Sequence, residues 1–91
     1  PLMKLLYVDD SPQAHKLAQV NFRADTSYEI HFASSAAEAL LNMQEGNYDI
    51  IVTDISMPVY SGVDLAKMLY KTRPNLPVYM CTCVPVYTEA I

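Results

Sequence analysis

Apolar and polar positions follow two rhythms along this chain, and the switches between them mark its elements. Leu2-Met3-Lys4-Leu5-Leu6-Tyr7-Val8 is an apolar run broken only by Lys4 and closed by Asp9-Asp10-Ser11-Pro12. Such a run, bounded by turn residues, predicts a strand buried on both faces. Ser11 before Pro12 is a helix start, because the hydroxyl accepts from a free backbone N–H and the ring pre-sets the first helical position. From Pro12 to about Ala24 the spacing turns helical. Ala14, Leu17, Ala18, Asn21 and Phe22 face inward, with Gln13, Lys16, Gln19 and Arg23 outward.

Tyr28 to Ala33 alternates and is rich in strand formers, as an outer strand with one wet face should be, which makes His31 a surface residue. Ser35-Ala36-Ala37-Glu38 predicts a capping box opening a second helix, with Ala39, Leu40 and Met43 inward and Gly46 a left-handed stop. The β-branched run Asp49-Ile50-Ile51-Val52-Thr53 predicts a third strand that ends at Asp54. Ser61-Gly62 predicts a turn, and Val63 to Lys71 a third helix with Val63, Leu65, Ala66, Leu69 and Tyr70 inward, closed by Arg73-Pro74. Leu76 to Cys83 reads as a fourth strand, broken by Val84-Pro85, and Thr88 to Ile91 as the first turn of another helix. Strands alternating with helices predict right-handed βαβ units around a parallel sheet of order two, one, three, four. All 91 residues form one domain on this reading.

Composition removes several classes of function. Six Lys and Arg against ten Asp and Glu give a net charge of −4, so bulk electrostatics attract neither nucleic acid nor an anionic membrane. The apolar fraction is 52%, yet no apolar run approaches the roughly 18 residues of a membrane span, so the expected location is cytoplasmic. Cys81 and Cys83 share one strand face about 6 to 7 Å apart, beyond the ~3.5 to 4.5 Å of a disulfide, and read as reduced packing residues. The two histidines, His15 and His31, lie on other elements, so no zinc set is expected, and His15 is placed on a solvated flank. The methionines read as core fillers.

The chemistry lies at the strand ends. In a parallel sheet all strand C-termini point to one edge, where open α/β sheets bind ligands, so Asp9, Asp10, Asp54 and Thr82 converge there. Carboxylates that close repel one another, raising a pKa or demanding a cation. Hard oxygen donors with room for water suit Mg²⁺, and one carboxylate then serves as nucleophile towards a phosphoryl group. A phosphate-cradling nucleotide or flavin module is disfavoured, because Asp9-Asp10 stands where such a loop would bind an anion. An aspartyl phosphatase is disfavoured because Ser56 stands two residues after Asp54, in place of a second acid.

Leu5-Leu6-Tyr7-Val8-Asp9-Asp10-Ser11, Asp54-Ile55-Ser56-Met57-Pro58 with Ser61-Gly62, and Pro77-Val78-Tyr79-Met80-Cys81-Thr82-Cys83 together resemble the receiver domain of bacterial two-component response regulators. The resemblance implies a flavodoxin-like, CheY-like doubly wound parallel sheet and a role in phosphorelay signalling rather than enzymatic turnover. By it, Asp54 accepts a phosphoryl group from a histidine kinase or phosphotransfer protein. Asp10, Asp54 and the backbone carbonyl of Ser56 hold Mg²⁺, Asp9 helps through water or a hydrogen bond, and Thr82 binds the phosphoryl oxygen. The family's fifth strand, with its lysine, and its closing helix have no match in this sequence. Lys67 and Lys71 belong to helix three. The alternative is a degenerate or truncated receiver acting as an interaction module, or a fragment of a longer regulator. With the fourth strand at the edge, self-association through that edge is expected.

Overall fold

Over the described residues the chain builds the elements its patterns predict, with several boundaries shifted by one or two residues. The computed structural model describes residues 2–81. They form β1 (Met3–Val8), α1 (Pro12–Phe22), β2 (Tyr28–Ala33), α2 (Ala36–Glu45), β3 (Ile50–Asp54), α3 (Gly62–Thr72) and β4 (Val78–Cys81). All strand pairs are parallel and the order is β2-β1-β3-β4, as the βαβ reading requires. The expected features at Thr82, Cys83, Val84-Pro85 and Thr88 to Ile91 lie outside the described residues. Among the described residues no helix is long and apolar enough to cross a membrane.

One face of the sheet carries the core. Leu6, Val8, Ala33 and Ile51 meet Ala36, Ala39 and Met43 of α2 and Leu65 and Leu69 of α3. Ser35 caps α2 as predicted, accepting from the Glu38 N–H, but the Glu38 carboxylate accepts from Ser34 N–H, one residue before the cap. The full reciprocal capping box is on α3, where Ser61 and Asp64 satisfy each other's backbone N–H groups. Hence α3 starts at Gly62 and not at Val63.

Five expectations need correction. Gly46 ends α2 in an extended conformation, φ −150°, and the left-handed residue among the described ones is Val59 at φ 70°. On α1, Leu17 (62% exposed) and Asn21 point outward, and the buried edge is Ala14 and Ala18 flanked by half-buried His15 and Phe22. The buried stripe runs through the two alanines and rotates towards His15, carrying Leu17 and Asn21 off it, since each residue turns about 100°. On α3, Val63 and Tyr70 are exposed beside buried Leu65 and Leu69. Met43 fills the core, but Met3 and Met80 are exposed on the strands. His31 is half-buried, its Nδ1 2.9 Å from the Tyr48 hydroxyl and its Nε2 2.7 Å from Glu29, because Tyr48 folds back over β2.

Candidate functional site

The register of two central strands assembles the site. Val8 of β1 pairs with Thr53 of β3, so the residues that follow, Asp9 and Asp54, leave the sheet side by side. Asp10 follows at the same edge. One carboxylate oxygen from each of Asp9, Asp10 and Asp54 lies within 4.8 Å of the other two. The predicted convergence of these three acids is therefore present.

Their surroundings differ. Asp9 is 1% exposed; its N–H donates to the Ala33 carbonyl at 3.0 Å and its Oδ1 accepts from the Ser11 N–H at 2.9 Å. Asp10 is exposed and Asp54 half-buried. Burial first, and then the negative charge of Asp9, pushes the Asp54 carboxyl above its ordinary range, with Asp10 adding to the push. Backbone N–H groups of Ser56 and Ile55 bonded to the carboxylate pull the other way.

The segment after β3 is held tightly. Gly62 N–H donates to the Ile55 carbonyl at 2.8 Å, and Ile55 N–H donates to the Cys81 carbonyl at 3.2 Å. Val59, 90% exposed, takes up the left-handed turn between them. Ser56 sits exposed in this segment, and Lys67 and Lys71 are exposed on α3. Thr82 lies outside the described residues.

One residue of this neighbourhood escaped the sequence reading. His15, expected on a solvated flank, is half-buried with Nε2 2.6 Å from the Asp9 carbonyl oxygen. Its ring lies against Phe32 at a centroid distance of 5.1 Å and Tyr7 at 6.4 Å. Spacing from the acidic pair was the only signal available, since both aromatic neighbours come from other elements.

The raised Asp54 carboxyl gives a pH prediction. The fold holds a proton on Asp54 more tightly than the unfolded chain does, so this group favours folding below the ordinary carboxylate range, and that contribution is lost as pH rises through the raised folded value. Asp54→Asn is thus expected to raise the melting temperature of the metal-free protein by a few degrees near about pH 7, with the gain fading towards about pH 3. Thermal unfolding in a chelator across that range checks it, and a variant no more stable than wild type at neutral pH contradicts it.

Fold and site together define an α/β domain with a three-carboxylate cluster at the ligand edge of a parallel sheet. The sequence model of the response regulator receiver domain matches residues 5–90, and the chain belongs to that family, a domain that is not itself a turnover enzyme. It is 32% identical over 92 residues to the DNA-binding transcriptional regulator NtrC of Bradyrhizobium sp., covering 100% of this chain and 19% of that protein. It is 34% identical over 80 residues to the protein-glutamate methylesterase/protein-glutamine glutaminase of Agrobacterium fabrum, covering 87% and 22%. The chain thus spans about a fifth of the length of these two relatives. Among solved structures it is similar to the response regulator TrrA of Thermotoga maritima in complex with Mg²⁺-BeF, with a TM-score of 0.84, 30% identity, and coverage of 99% of this chain and 77% of that one. The same protein in complex with histidine kinase ThkA gives a TM-score of 0.83 at the same identity and coverage, 30%, 99% and 77%. The three acids therefore lie in a receiver fold and form a set suited to a metal ion.

Proposed function

We propose that this chain receives a phosphoryl group on Asp54 and that the new acyl phosphate is its signal. One observation carries the reading: Asp9, Asp10 and Asp54 bring carboxylate oxygens within 4.8 Å of one another at the sheet edge. The donor is a phosphohistidine of a histidine kinase or phosphotransfer protein, a reading supported by similarity to TrrA, which forms a complex with ThkA. An Asp54 oxygen attacks phosphorus as the bond from phosphorus to the donor imidazole breaks. The electron pair leaves with the imidazole nitrogen, which takes up a proton, and Asp54 is left as a mixed anhydride.

Close-set carboxylate oxygens are the hard donors that suit Mg²⁺, and similarity to TrrA with Mg²⁺-BeF supports that ion. Asp10, Asp54 and the Ser56 carbonyl would hold it, with Asp9 contributing through water or a hydrogen bond. When bound, the ion neutralises the carboxylates and the incoming phosphoryl oxygens. The Ser56 and Ile55 N–H groups keep the Asp54 carboxylate aimed. Thr82 is assigned the phosphoryl-oxygen contact and the switch.

Incubation with a small-molecule phosphodonor and Mg²⁺, followed by intact mass, tests this. Wild type is expected to gain one phosphoryl group and Asp54→Asn none. Equal labelling of the two would sink the assignment, and a wild type that binds a kinase without being labelled by it would favour an interaction module.

A second copy of the chain is a further partner. Tyr79 and Met80 are 58% and 39% exposed on β4, the outermost of the described strands on that side. Where no further strand covers it, the edge of such an apolar strand favours pairing with another strand. Sedimentation over a concentration series is expected to show self-association of the 91-residue chain that Tyr79→Lys weakens; a folded, strictly monomeric wild type refutes it.

A further inference from the structure

His15 stands outside the carboxylate set, yet one ring nitrogen reaches its backbone. Nε2 lies 2.6 Å from the Asp9 carbonyl oxygen. A carbonyl only accepts, so Nε2 carries the proton and donates. The ring reaches back from the first turn of α1, and Tyr7 and Phe32 box it in on the strand side. Aromatic contacts on β1 and β2 thus fix the donor before any ligand arrives.

The peptide joining Asp9 to Asp10 receives that donor. Asp9 is also held by its N–H on the Ala33 carbonyl and by its carboxylate on the Ser11 N–H, the second closing a turn across Asp10 that leaves the Asp9 carbonyl to be fixed by His15. Asp10 is exposed, so the peptide plane before it governs where its carboxylate points. That plane is rigid, and pinning its carbonyl pins the Asp10 N–H with it.

We propose that His15 is a positioning residue that, by donating from Nε2 to the Asp9 carbonyl, holds the Asp9-Asp10 peptide in the orientation that delivers the Asp10 carboxylate to the cation site. The proposal deepens the phosphoacceptor reading and rests on it. Groups that orient a ligand from behind typically change metal affinity by about 10- to 100-fold when removed, and a bond acting through the backbone belongs at the lower end.

His15→Phe keeps the ring in its aromatic slot and removes the donor, whereas His15→Gln restores an N–H at similar reach. Mg²⁺ titration by NMR is expected to show about tenfold weaker binding for His15→Phe and near-wild-type binding for His15→Gln. The Asp10 amide signal of the metal-free protein should move in the first variant and return in the second. A side chain that only stabilised the fold would lower the unfolding midpoint and leave affinity and the Asp10 amide in place. The imidazole nitrogen shifts of wild type give an independent reading, with the Nε2–H tautomer expected, and keep the test decisive even where His15→Phe does not fold. Wild-type affinity in His15→Phe, failure of His15→Gln to rescue it, or an Nδ1–H tautomer overturns the proposal alone. A wild type that binds no Mg²⁺ at these strand ends overturns the phosphoacceptor reading and the proposal with it.

Discussion

Replacing Gly62 with alanine is expected to unseat Asp54. A Cβ on Gly62 would stand 2.1 Å from the Asp54 carbonyl oxygen, 3.0 Å from its carbonyl carbon and 3.2 Å from the Ile55 Cα. All three are backbone atoms, so no rotamer change relieves the clash. The Gly62 N–H donates to the Ile55 carbonyl at 2.8 Å, latching the first turn of α3 to the segment that follows β3. Either α3 slides outward, breaking that bond and loosening Leu65 and Leu69 in the core, or the Asp54-Ile55 backbone shifts. Overpacking costs about 1 to 3 kcal/mol where neighbours can yield, so Gly62→Ala should cost about 3 kcal/mol or more. For a domain of this size that lowers the melting temperature by more than about 10 °C. A misplacement of about 1 Å costs a reaction about 10²-fold, so labelling of the folded fraction should slow by that order. Urea unfolding and labelling followed by intact mass measure both. Wild-type stability would show that the α3 start and the end of β3 are not in this close contact.

What the sequence discloses about this site follows from which partners are local. Strands β1 and β3 are legible because burial on both faces leaves almost nothing but apolar residues between turn signals, and parallel strands end at one edge, which brings Asp9 and Asp10 to Asp54. The inner face of α1 is less legible. Hydrophobicity favours Leu17, but the buried positions are Ala14 and Ala18. His15 is illegible because its acceptor is a main-chain carbonyl and its slot is built from Tyr7 and Phe32. Val59 shows the same limit in the backbone. Residue type assigns the left-handed position to Gly46, whereas closing the turn between β3 and α3 imposes φ 70° on a β-branched residue, at a cost of roughly 1 to 2 kcal/mol. Tertiary closure overrides local preference where the chain must return to the site.

The two halves of the acidic pair should separate by mutation, because one is built into the fold and the other faces solvent. Asp9 is 1% exposed and its carboxylate satisfies the Ser11 N–H at the start of α1. Asp9→Ala leaves that N–H without its acceptor, a loss worth about 1 to 3 kcal/mol. Asp10 is exposed, and its charge adds to the repulsion that raises the Asp54 carboxyl. Asp10→Asn is therefore expected to leave the metal-free fold as stable as wild type or slightly more so. Its effect on the cation is opposite in sign and larger. Groups one shell away from a metal change its affinity by about 10- to 100-fold, and a direct carboxylate ligand should contribute at least as much, so Asp10→Asn should weaken Mg²⁺ binding by at least tenfold. Calorimetric Mg²⁺ titration and urea unfolding in a chelator give the two numbers for each variant. Equal Mg²⁺ affinity in wild type and Asp10→Asn would remove Asp10 from the cation site. If Asp10→Asn instead lost as much stability as Asp9→Ala, the carboxylate would be part of the folded scaffold, and the division of labour within the pair would fail.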